Sequence, residues 1–85
     1  MLIMSLLGSA NKIEKLHKLI SNGYVGGVTA LSKELKTSRG TVYNYFDYMK
    51  SVGVLVLYDE QQRIHYYDPR LEVKFQCGFS VNERE

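Results

Sequence analysis

Several kinds of residue and pattern are scarce in this 85-residue chain, and each scarcity excludes something. Cys77 is the only cysteine, so no disulfide can close within the chain, and a reducing, cytoplasmic setting is the simplest expectation. Histidine occurs only at His17 and His65, without the clustering of a metal site; one partly buried or surface histidine on a helix and one on a strand are expected, with no metal. The chain has no Gly-rich phosphate loop, no Ser/His/Asp grouping suggested by the order of residues and no paired acids placed for a cleft, so neither an enzyme site nor a cofactor is expected. Long apolar runs are also missing. The opening MLIMSLLG is far short of the about 18 residues of a membrane span, with no basic flank before it and no processing pattern after it. Residues 1–10 are therefore expected to be a helix extension or a subunit contact, with no membrane partner.

What remains is an ordinary globular composition, 45% hydrophobic and 24% charged. A chain of this size buries somewhat over roughly 60% of its unfolded surface, enough for one modest core. The net charge of +2 is unevenly placed. Residues 1–50 carry seven Lys/Arg against three Asp/Glu, and residues 51–85 carry four against six. A basic first half is compatible with a polyanionic partner.

Within that half, LSKELKTSRGTVYNYFDYM places two apolar stripes on either side of a short break. Leu31 and Leu35 lie one turn apart, as do Val42, Phe46 and Met49. Lys36, Thr37 and Ser38 between them leave room only for a tight helix-to-helix turn. The spacing predicts a short helix from about Val28 to Lys36, capped by Gly27 or Thr29, and a second from about Arg39 to Ser51, capped by Ser38 and closed by Gly53. Arg39, Gly40, Thr41, Tyr43 and Asn44 then occupy the exposed N-terminal end of the second helix, the end that enters the major groove in a helix-turn-helix.

An earlier helix is expected from Asn11 to Ile20, through Ile13, Leu16 and Ile20, with Asn11 or Ser9 as its cap and Asn22-Gly23 as its stop. Gly8 and Ser9 argue against an unbroken helix upstream. Tyr24-Val25 has the composition of a small strand. After Gly53 the period becomes extended: Val54 to Tyr58 and Ile64 to Tyr67 flank the polar Asp59 to Arg63 and predict a β-hairpin. Val54 to Leu57 is apolar on both strand faces, so something must cover the second face. Leu71, Val73, Phe75, Cys77 and Phe79 alternate with mostly polar residues and predict a strand-like tail over the hairpin or against a second subunit. The closing residues 82–85 are expected to fray. The organisation is thus an N-terminal extension (1–10), a folded domain (11–68) and a tail (69–85).

The run from Ala30 to Val54, continued by Tyr58-Asp59, Arg63 and Tyr66-Tyr67, resembles the winged helix-turn-helix that opens DeoR-type, biotin-repressor-type and WYL-type bacterial regulators, in a short stand-alone form. The resemblance covers about Asn11 to Asp68 and implies an α+β fold, three helices followed by a β-hairpin wing. It implies sequence-specific binding of double-stranded DNA by a transcriptional regulator. It carries over Ser38, Arg39, Thr41, Tyr43 and Asn44 as DNA contacts and Arg63 as a wing contact to phosphate.

Apart from the resemblance, Lys33 and Lys36 on the bracing helix, and Lys12 or Lys15 on the first, are candidate phosphate contacts. A homodimer is expected because one short recognition helix reads only a few base pairs. The alternative is a protein–protein assembly module, favoured by the surplus apolar surface of hairpin and tail and by the sparse basic charge.

Overall fold

The computed structural model describes the backbone of residues 2–76 and 78–84, and side chains from residue 11 onward within that range; Met1, Cys77 and Glu85 lie outside the described residues. The fold is α+β: helices α1 (Leu2–Ser21), α2 (Gly27–Leu35) and α3 (Arg39–Ser51), then strands β1 (Val56–Asp59), β2 (Ile64–Tyr67), β3 (Leu71–Phe75) and β4 (Phe79–Glu83) in two separate antiparallel hairpins. No described helix is long and apolar enough to cross a membrane.

The first helix starts well before the expected cap at Asn11 or Ser9; both lie inside α1, as does Gly8. A glycine in a helix costs about 1 kcal/mol relative to alanine, which a helix already nucleated on its neighbours absorbs. Leu16 and Ile20 are buried, whereas Ile13 is half-buried. The helix stops at Asn22-Gly23 as expected. Gly23 has φ 69°, and the Tyr24 N–H reaches back to the Leu19 carbonyl at 3.0 Å.

Between α1 and α2 the chain makes a β-bridge, Val25 to Ile64, and the Gly26 N–H donates to the Arg63 carbonyl at 2.8 Å. Gly26 adopts φ 124°, and a Cβ there would lie 2.5 Å from the Ala30 Cβ. Neither expected cap of α2 is used: Gly26 is the N-cap, with no side-chain hydrogen bond. Glycine is required at this point because the backbone must turn sharply from the bridge into the helix.

Leaving α2, Lys36 takes the left-handed conformation at φ 56°, and the N–H groups of Lys36 and Thr37 satisfy carbonyls of the last turn. Ser38 then starts α3, so the two helices are joined by the three residues expected. Their facing stripes, Leu31 and Leu35 against Val42 and Met49, share one buried core with Leu16, Ile20 and Val54. Burying each such side chain contributes roughly 1.5–3 kcal/mol.

In the first hairpin Val56 pairs with Tyr67, Leu57 with Tyr66, Tyr58 with His65 and Asp59 with Ile64. Val56 and Tyr67 pack against the core, and the Tyr67 hydroxyl shares a 2.8 Å hydrogen bond with His17 Nδ1. Burial raises the pKa of this phenol and also lowers that of His17, so both remain neutral near pH 7. Val54 and Leu55 precede the strand rather than belonging to it. Val54 is fully buried, held by its N–H to the Met49 carbonyl, and Leu55 is left exposed.

The tail departs from expectation. It is not one strand but the second hairpin, reversing after Phe75, with Val73 opposite Val81 and Phe75 opposite Phe79. Nor does it pair with the first hairpin. Val73, Phe79 and Val81 pack on the helical core, and the Phe79 ring stands edge-on to His17 with centroids 5.9 Å apart. The physical reason is that self-pairing satisfies the tail's own backbone while a helical surface takes its apolar face. Asn82 and Glu83 lie in β4 rather than fraying, and the Arg84 N–H donates to the Arg70 carbonyl at 2.7 Å.

Asp68, at the junction of the hairpins, is buried and held by Arg70 through its guanidinium (2.6 Å at Nη2) and backbone N–H (2.9 Å). The side-chain bond from Arg70, helped by the backbone bond, lowers the carboxyl pKa to about 2.

Two outcomes are expected. Gly26→Ala loses roughly 1–3 kcal/mol from backbone strain alone, and more from the Ala30 clash. By urea denaturation it falls below Gly53→Ala, whose φ of 90° is likewise positive but whose Cβ would meet nothing. The Asp68 pair contributes fully above the unfolded carboxyl's value of about 3.9 and is lost as pH falls through about 2. Stability measured against pH therefore has an acid limb in that window, which Asp68→Asn flattens.

Candidate nucleic-acid interface

Along α3, successive residues turn by about 100°. Arg39, Lys50, Tyr43, Asp47, Gly40 and Asn44 are all exposed and share an arc of about 140° on the wheel. Val42 and Met49 face the core on the other side, with Tyr45 and Phe46 half-buried beside them. Tyr43 is 56% exposed, its ring edge-on to Phe46.

The start of this helix is held by Ser38. Its hydroxyl accepts from the Thr41 N–H at 3.1 Å and lies 2.9 Å from the Thr41 hydroxyl. Both hydroxyls thus serve first to order the helix terminus, which sets the direction of Arg39 and Tyr43. Gly40 sits open in the first turn, with only the Ser38 hydroxyl within 4 Å of where its Cβ would stand.

Of the candidate residues, Arg39, Tyr43 and Arg63 are brought to a single cleft of about 560 Å³ between α3, the start of α2 and the first hairpin. Arg63 takes a left-handed conformation (φ 57°) at the end of the hairpin turn, where its N–H donates to the Asp59 carbonyl at 2.7 Å. Asp59 in turn accepts from the Gln61 and Gln62 N–H groups, so the turn is ordered by its own acid. Lys33 and Lys36 are exposed but do not line the cleft; neither does Asn44. Lys15, expected as an alternative phosphate contact, instead donates to the Glu34 carbonyl at 3.0 Å and braces α1 against α2.

The cleft's inner wall is formed by residues that no sequence motif marks. His65 and Tyr58 oppose each other across the hairpin, rings 4.6 Å apart, and His65 also lies 5.1 Å from Phe46. His65 Nδ1 is buried without a hydrogen-bond partner, and desolvation lowers the pKa of the ring. Tyr58 approaches α2 over Gly27, where a Cβ would meet its hydroxyl at 3.4 Å. Period-two alternation would have placed Tyr58 and His65 on alternate positions of their strands, but nothing local signals their approach to α3 and α2.

Electrostatically the surface is mixed. Asp47 shares the arc of Arg39 and Tyr43, and among the described residues it forms no ion pair; those that occur are Glu14–Lys18, Asp68–Arg70 and Glu72–Lys74.

Since the Ser38 hydroxyl caps α3, Ser38→Ala is expected to cost about 1 kcal/mol in thermal or urea unfolding. Ser38→Asp, which keeps an acceptor, is expected to retain most of that stability. No protein-family model, curated protein or solved structure matches this chain.

Proposed function

We propose that this chain is a small winged-helix DNA-binding protein of bacterial type that regulates transcription from the cytoplasm as a homodimer, and that it is not an enzyme. The observation that carries the reading is the convergence of Arg39 and Tyr43, on the exposed N-terminal half of α3, with Arg63 of the first hairpin at one cleft. A recognition helix with a wing beside it presents side chains to a groove and to the flanking phosphates from one side of the molecule.

In this reading Arg39 makes a bidentate contact to a guanine edge, and Tyr43 meets a phosphate or a thymine methyl. Asn44 and Thr41 lie at the edge of the same helix end. Ser38 contributes chiefly by holding that end in place. Arg63, Lys33 and Lys36 contact phosphate, and Gly40 lets the backbone come close. Two-fold symmetry doubles the length of DNA read.

A second reading, a protein-assembly module, is favoured by one specific observation. Val25, bridged to the first hairpin, and Leu55, just before its first strand, are 63% and 38% exposed and offer apolar surface to a partner.

A mobility-shift assay with random duplex at low and moderate salt separates the two readings. Binding at low salt that weakens steeply as salt rises is expected, through release of counterions. No binding at low salt would sink the DNA reading. With a selected site, Arg39→Ala is expected to cost roughly 1–3 kcal/mol at one base position and to relax specificity there, whereas Lys33→Ala weakens binding evenly across sequences.

A further inference from the structure

The cleft between α3 and the first hairpin is more than a charged surface. At about 560 Å³ it falls within the range of small-molecule sites. Its floor includes Phe46 and Val56, and the rings of Tyr43 and Tyr58 stand half exposed along it. Arg39 and Arg63 supply two cations, and among the described residues no carboxylate lines it. On its wall His65 carries a buried ring nitrogen without a partner, in a protein where most buried polar groups are satisfied.

Aromatic walls favour a flat ring, and guanidinium groups favour a carboxylate by paired hydrogen bonds. We propose that this cleft is an effector site for a small aromatic carboxylate. The ring lies over Phe46 between the tyrosines, and the carboxylate faces Arg39 and Arg63. Because those two side chains and Tyr43 are also the proposed DNA contacts, bound carboxylate and duplex exclude each other. That exclusion, though not the site itself, rests on the DNA reading.

The test titrates 2-naphthoate into the full chain labelled with ¹⁵N. Amide shifts are expected at residues 26–29, 39–43 and 58–65, together with a shift of the His65 ring nitrogens, at a Kd of about 1 mM or tighter, the level that per-atom efficiency allows a ligand of this size. Arg63→Gly, which suits the positive φ of that residue, weakens binding about tenfold while the remaining spectrum stays folded. Inorganic phosphate at equal ionic strength leaves the His65 ring unmoved.

No saturable shift, shifts away from the cleft, or an equal response to phosphate would overturn the site. A second arm follows a fluorescent duplex by anisotropy. Displacement by 2-naphthoate is expected, and a duplex that stays bound to naphthoate-saturated protein would overturn the exclusion. A chain that takes naphthoate in the cleft but binds no duplex supports the site and sinks the DNA reading alone.

Discussion

The position of the first hairpin depends on a small piece of backbone, the Val25–Ile64 bridge and the Gly26 N–H on the Arg63 carbonyl. These contacts fix the start of α2 to the far strand of the hairpin, and the tight turn at Lys36–Ser38 then carries that placement into α3. The cleft is the space this arrangement leaves. Gly26 and Gly27 make it possible from opposite sides: one permits the turn out of the bridge, and the other leaves room for Tyr58 against the helix start.

Beside the aliphatic core lies an aromatic cluster that the helical stripes alone do not explain. His17 lies between the two hairpins, hydrogen-bonded and stacked on Tyr67 of the first and edge-on to Phe79 of the second. A neutral imidazole suits this place because it offers both a ring and a polar nitrogen to a buried phenol. Through it α1 contacts both hairpins, so β3 and β4 belong to the packed body of the protein. The Asp68–Arg70 pair sits where one hairpin ends and the next begins, holding the bend that redirects the chain toward the helices.

Much of this was legible from residues. The α2–α3 pair followed from Leu31, Leu35, Val42 and Met49, because an apolar stripe with a three-residue break has few other solutions; α3 begins and ends where Ser38 and Gly53 indicate. The first hairpin followed from β-branched and aromatic runs around a polar turn. The start of α1 lies upstream of Asn11 because a continuous helix overrides the weak helix propensity of Gly8 and Ser9. The tail's alternation fits one strand or two strands folded back equally well, since Phe75 and Phe79 keep the same face in either arrangement. The candidate site is legible to the same extent. Arg39 and Tyr43 are local to one helix and could be found, whereas Tyr58 and His65 join them only through pairings across the chain.

The bridge between Val25 and Ile64 also orders events in time. Contacts between α2 and α3 are local and close quickly, but the bridge joins segments separated by both helices and must wait for a long loop to close. The helical pair is thus an early unit of folding and the seating of the first hairpin a late one.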